Sequence, residues 1–336
     1  MMDKEEARLR RSPLRMRDEA LVSFLTQTTC RLSGDHCADV RTYVLRVPYF
    51  NASMAPNGMM QVWSGLLLRM ENEAQVATVL AHEIAHYLQR HSLDRLRDAK
   101  ARTAFATVIS MFGIYGLVGQ LLLAGGSYSF SRDQEREADA IGLLLMRQAG
   151  FDTREAPKVW ANLLAELMAN PAAAENALDG ILFATHPTSA ERQRALEREA
   201  AADSGGVVGT DAWRRRLAPV RQQLLDDDLK RARFDESLVL LNRLVAAEPN
   251  DAVLLYYRGE LRRLRADGDD MPYAQLDLQA AAQDPAAPVA VWRSLGYVYR
   301  QLRYIDAART AWQRYLERAA DAPDAALVRQ SLEELQ

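Results

Sequence analysis

The period of the hydrophobic pattern changes several times along the 336 residues. In 14–33, Leu14, Ala20, Leu21, Phe24, Leu25 and Leu32 fall mostly on one face, which predicts an amphipathic helix. Residues 43–50 are β-branched and aromatic, a strand signature; Ala55-Pro56-Asn57-Gly58 then reads as a turn, and Met59, Met60, Gln61, Val62 and Trp63 as a returning strand. From Glu71 the spacing turns helical, with Ala74, Val76, Ala77, Val79, Leu80, Ile84, Ala85 and Leu88 too dense for one stripe. A helix apolar nearly all round belongs in a domain centre. Residues 103–131 carry no charge and are long enough to span a membrane. Five internal glycines, Ser110, Gln120 and the lack of a strongly basic flank favour a buried or interfacial helix, with a membrane anchor as the weaker alternative. Helices follow at about 133–149, stopping at Gly150, then at 154–169 and 188–201, before a linker at 204–212.

Beyond the linker the chain repeats itself. Trp292, Leu295, Gly296, Tyr299, Ala308 and Trp312 stand at tetratricopeptide spacings, where small residues let paired helices cross closely. Gly259 precedes Gly296 by 37 residues, near the 34-residue period plus an Asp-rich insertion at 267–270. Phe234, Ser237, Leu241 and Pro249-Asn250 mark a weaker earlier unit, so three helix pairs are expected over 213–336.

Composition narrows this picture. Lys+Arg 42 against Asp+Glu 45 lacks the basic excess of proteins that bind nucleic acid by bulk charge. A 49% hydrophobic content supports a packed core, and the low Gly and Pro content excludes a collagenous or largely disordered chain. Cys30 and Cys37, the only thiols, flank a Gly34-Asp35 turn; the spacing suits a short disulfide loop of an oxidising compartment and equally two free thiols. The first twenty residues alternate charges and show no apolar segment of a signal peptide. Compartment is therefore divided: the cysteines lean towards a periplasm or cell envelope, the missing leader towards the cytoplasm.

The chemistry concentrates in His82-Glu83-Ile84-Ala85-His86. Residues four apart share a helix face, so His82 and His86 can place two imidazole nitrogens on one metal, with Glu83 in reach of a water on it. A catalytic zinc needs a third protein ligand and an open position. Glu135 and Asp139 share one face of the 133–149 helix, and small Ala138 allows close approach to the histidine helix. Glu135 is the candidate third ligand, Asp139 the acceptor that fixes a histidine tautomer, and Glu137 a solvated surface carboxylate.

His82–His86 followed by Glu135-x-x-Ala138-Asp139 resembles the zinc metallopeptidases of the HtpX and CAAX-prenyl-protease type. In that family the glutamate of the second motif is the third ligand, which carries over to Glu135. Asn51-Ala-Ser-Met, Asn57-Gly58 and Trp63-Ser-Gly-Leu-Leu67 resemble the family's strand segment before the metal helix. His91 sits where the family often has a histidine and reads as structural, since it falls off the ligand face. Thr185-His186-Pro187 with Arg192 resembles the downstream His-Pro motif near the metal; His186 is then an oxyanion stabiliser or a transient cap on zinc, or else only a helix cap. The resemblance covers about 40–200. With the repeat tail it is similar to the periplasmic subgroup that includes the β-barrel assembly-enhancing protease.

The expected architecture is mainly α with a small β-sheet: a zincin-type metallopeptidase domain at 1–203, the linker, and tetratricopeptide-like repeats at 213–336. The expected function is a zinc-dependent endopeptidase holding one Zn²⁺ per chain and cleaving polypeptides, in envelope protein quality control. Substrate is expected along an open edge at Met59–Trp63, protein partners on the repeats, no nucleic acid, and peripheral membrane contact through 103–131. The competing reading is an interaction or chaperone protein whose peptidase domain is latent.

Overall fold

The structure, a computed structural model, describes residues 2–91, 130–170, 186 and 190–335. Most of the uncharged 103–131 stretch, and Thr185 and Pro187, lie outside them. The described chain is mostly helical with one three-stranded sheet, and it divides into two units, Met1–Asp228 and Leu229–Gln336.

In the first unit, α1 (Met2–Arg10) precedes an extended stretch at 14–16, then α2 (Glu19–Ser33). The amphipathic pattern had extended this helix back to 14. Asp18 instead caps it by accepting the Leu21 N–H, and Leu14–Met16 runs beside β1 (Arg41–Leu45), with Met16 donating to the Val44 carbonyl at 2.9 Å. A 3₁₀ turn, Gly34–Asp39, follows α2, and a Cys30–Cys37 disulfide ties the two together.

The sheet is completed by β2 (Ala52–Met54) and β3 (Met59–Trp63) in the order β1-β3-β2. β3 pairs parallel with β1, Arg41 opposite Met59, and antiparallel with β2, Met54 opposite Met60. Met59–Trp63 is therefore the central strand, buried throughout, and offers substrate no edge. Local alternation reveals a strand but not its neighbours, and here the parallel partner comes from earlier in the chain. The outer side of β1 is covered by the 14–16 stretch, which leaves β2 as the uncovered edge among the described residues.

Short α3 (Ser64–Arg69) leads to α4 (Glu73–Leu88), capped by Asn72 accepting from the Gln75 N–H. Residues Ala74–His86 are all buried, as the all-round apolar pattern predicted. α5 (Arg132–Gln148) starts at a Ser131/Gln134 capping box and lies against α4. The helices meet at Gly142, where a Cβ would stand 3.4 Å from the His82 backbone nitrogen, an ordinary packing distance. α6 (Ala156–Met168), α7 (Ala190–Ala201) and α8 (Thr210–Lys230) complete the unit. The stretch expected to be the linker packs into this unit: Val207 bridges to Phe151, and the Val208 carbonyl accepts from the Ala74 N–H. Trp213, fully buried, donates to the Met70 carbonyl at 2.8 Å and packs against Phe24.

The second unit holds α9 (Phe234–Ala247), α10 (Ala252–Arg265), α11 (Asp270–Ala281), α12 (Ala290–Gln301), α13 (Ile305–Arg318) and α14 (Ala325–Glu333). α12 and α13 cross closely because Gly296 carries no side chain; a Cβ there would collide with the Trp312 indole. α10 and α11 are joined by Asp277, which accepts from Arg258 at 2.6 and 2.9 Å and from Arg262 at 2.5 Å.

Candidate metal centre

Helix α4 puts His82 and His86 one turn apart on the face turned to α5, with their Nε2 atoms 3.1 Å apart. Glu135, in the first turn of α5, is fully buried; its Oε1 lies 3.3 Å from His86 Nε2 and its Oε2 3.6 Å from His82 Nε2. His186 Nδ1 lies 3.2 Å from His82 Nε2 and 2.9 Å from Glu135 Oε1. Donor atoms of all four residues lie within 4.8 Å of one another. Ligands about 2.0–2.1 Å from a tetrahedral zinc stand roughly 3.3 Å apart, so the His82, His86 and Glu135 spacings fit that ion.

Each ligand candidate is held from behind. His82 Nδ1 faces Asp139 Oδ1 at 3.1 Å, and Arg192 pairs with both Asp139 and Glu135. Arg192 also lies over the Trp160 ring, whose edge meets His82. Phe130 stacks on the His86 ring at 3.8 Å. Burial alone would raise the Asp139 carboxyl, but the hydrogen bonds from Arg192 and His82 outweigh it and hold the group ionised. Burial likewise opposes ionisation of Glu135, and the surrounding imidazoles, His186 first, carry it well below the carboxylate range. His86 is pushed down to about 2 by burial, so its ring is neutral, as a ligand's must be.

Glu83 differs from these groups. Its Oε1 is buried, has no hydrogen-bond partner and stands 3.6 Å from His186 Nε2. Burial raises it, the direction that turns a carboxylate into a stronger base. An unpartnered buried oxygen beside convergent nitrogens is costly unless something occupies the space between them.

The structure thus brings together His82, Glu83, His86, Glu135, Asp139 and His186, and leaves Met59–Trp63 inside the sheet. Two residues stand where the spacing did not put them. His91, five positions after His86, lies with its Nδ1 3.0 Å from His86 Nδ1, and Glu137 reaches His91 Nε2 at 3.3 Å. Helical counting sends position 91 off the ligand face, but Arg90 adopts φ 57° and turns the chain back. A cleft of about 390 Å³ opens beside His86, walled by His36, Asp39, Pro56 and Arg90 among others.

The model of peptidase family M48 matches residues 26–200, over half of the chain. The chain belongs to peptidase family M48. It is a metallopeptidase by family, and zinc is the metal that the family uses and the donor set fits. The mitochondrial metalloendopeptidase OMA1 of Schizosaccharomyces pombe is 38% identical over 180 residues, covering 52% of this chain and 51% of that protein. OMA1 of Arabidopsis thaliana is 34% identical over 153 residues, 46% of this chain and 30% of that one. The β-barrel assembly-enhancing protease of Escherichia coli K12 is 31% identical over 173 residues, 46% of this chain and 35% of that one. The chain spans about half, or less, of the length of these curated relatives. Among the described residues, no helix is long and apolar enough to cross a membrane.

Proposed function

We propose that this M48 chain is a zinc endopeptidase in which His82, His86 and Glu135 hold the metal and Glu83 is the general base. The observation that carries the reading is the buried Glu83 Oε1, without a hydrogen-bond partner, next to three converging donors. Zinc bound there supplies Lewis-acid chemistry, acidifying a water towards a pKa of about 7 and polarising a scissile carbonyl. Glu83 takes the proton of the attacking water and returns it to the leaving amine. Asp139, fixed by Arg192, holds His82 in the tautomer whose Nε2 lone pair faces the metal.

Substrate lies along β2 in place of β3. Asn51 and Ala55 hydrogen-bond inward to Trp63 and Met59, so by alternation the main-chain groups of Ala52 and Met54 face outward. The metal helix α4, which carries Glu83, packs against β2, so a strand added at that edge would run near the base. Polypeptides are the substrate class.

The decisive experiment pairs zinc content with casein degradation. Glu83→Gln should bind one zinc and lose about 10²–10⁴-fold in hydrolysis; hydrolysis at the wild-type rate would overturn the assignment. A second reading, a latent peptidase, is favoured by the place of His186, whose Nδ1 stands among the metal donors. His186→Ala separates the two: faster casein hydrolysis supports a cap that must leave, slower hydrolysis an oxyanion partner.

The helices of 229–336 serve as tetratricopeptide-like repeats that dock protein partners, a reading supported by Gly259 and Gly296 at 37 residues and by the close α12–α13 crossing. An oxidising compartment, with a role in envelope protein quality control, is supported by the Cys30–Cys37 disulfide and by the likeness to the β-barrel assembly-enhancing protease.

A further inference from the structure

The cleft of about 390 Å³ beside His86 is built from three separate parts of the first unit. His86, Tyr87 and Arg90 come from the end of α4, Pro56 from the chain leaving β2, and His36 and Asp39 from the 3₁₀ turn. Small-ligand sites hold roughly 300–1,000 Å³, so this space takes a side chain or two and not a folded segment. One wall is a metal donor, and another lies two residues past Met54, the last residue of β2. A polypeptide added along β2 with its scissile bond at the metal therefore passes the mouth of the cleft, and one of its side chains enters it.

The charged groups around this space are not equally available. Asp39 Oδ2 already has the His36 ring, whose Nδ1 lies 3.4 Å away. Nearby Arg41 is engaged by Glu6 and by the Asp39 and Asn57 carbonyls. Arg90 is exposed on the cleft wall, and among the described residues no carboxylate or carbonyl oxygen pairs with its guanidinium. Its planar fork of N–H donors matches a carboxylate, and such bonds are charge-assisted. We infer that Arg90 is a specificity residue, selecting an Asp or Glu side chain at one fixed position of the substrate beside the cleaved bond. The inference rests on the peptidase reading and on β2 as the substrate edge.

The test digests a mixed-sequence peptide library with the full zinc-loaded chain and reads the residues flanking each new terminus by mass spectrometry. Wild type should favour Asp and Glu over Lys and Arg at one position by about 5–30-fold. Arg90→Gly removes the cation and suits the φ of 57° found there, so the fold is kept and the preference at that position should vanish. Arg90→Glu should turn the preference towards Lys and Arg at the same position. Arg198→Glu, the same change of charge on α7 outside the cleft, should keep the wild-type profile, and so should Asp39→Asn. A second readout is the Kd of labelled decapeptides, matched except for Glu or Lys, on the Glu83→Gln chain. The Glu peptides should bind more tightly, by a margin that shrinks as salt rises and is lost in Arg90→Gly.

An acidic preference that survives in Arg90→Gly would overturn the assignment while leaving the peptidase standing. So would a profile without preference, or a wild-type preference for Lys and Arg, which would give the cleft to Asp39. If wild type holds zinc but cleaves neither casein nor the library, the peptidase reading fails instead. The decapeptides then decide the cleft by themselves, and equal Kd values for the Glu and Lys forms would overturn the role of Arg90.

Discussion

Two clusters of charge lie buried in the first unit, and they are built to opposite ends. Around Arg69 every group is answered: Nε meets Glu166 at 2.6 Å, Nη2 meets Asp228 at 3.1 Å, and Nη1 donates to the Gly65 carbonyl at 3.0 Å. Around Glu83 the count does not close. Its Oε1 has no partner, and four donor residues point at one small space. The first cluster joins α3, α6 and α8 into one body; the second leaves the Glu83 oxygen unanswered, at a cost in folding stability. Pairing is complete at the structural cluster and incomplete at the one that holds the metal donors.

The largest expected effect comes from filling that gap in the second cluster. Glu83→Gln should lower peptide hydrolysis by about 10²–10⁴-fold with the melting temperature unchanged or higher, since a buried unpaired carboxylate is removed. A stability loss equal to that of Arg69 variants would erase the distinction between the clusters.

Arg69→Ala should act the other way, destabilising the unit by about 3–5 kcal/mol because Glu166 and Asp228 are left buried without their cation. Chemical denaturation measures this directly. Replacing all three residues with apolar side chains of similar volume should recover most of the loss, and activity should follow the folded fraction alone.

The smallest effect belongs to a network nearer the surface. Glu6 on α1 accepts from Arg41 at 2.7 and 2.9 Å, from Tyr43 at 2.7 Å and from Arg10 at 2.8 Å, and the Arg41 guanidinium holds its carboxyl down to about 2. A carboxyl lowered by folding stabilises above its ordinary value of 4.5 and loses that contribution as pH falls towards about 2. Glu6→Gln should therefore flatten the fall in melting temperature between about pH 4.5 and 2, and leave neutral-pH hydrolysis unchanged.

What the chain declares about itself follows the same division. The metal helix was legible because its ligands are four apart on one continuous helix, and Glu135 with Asp139 repeats that spacing on a second. The middle place of β3 was not, because strand order depends on which distant segment pairs and not on alternation within the strand. His91 escaped because a single left-handed residue, Arg90, cancels helical counting. The Arg69 cluster joins residues 97 and 159 positions apart, beyond any local pattern.

The indole of Trp213 and the carboxylates of Asp227 and Asp228 have a practical consequence for dissecting the molecule. Cut at the glycine-rich stretch near 204, an excised fragment would leave the Met70 carbonyl without its donor, Arg46 without its carboxylate, Arg69 with Glu166 alone, and the Phe24 ring open to water. A fragment that keeps these contacts has to run through Asp228, with α8 as its closing strut.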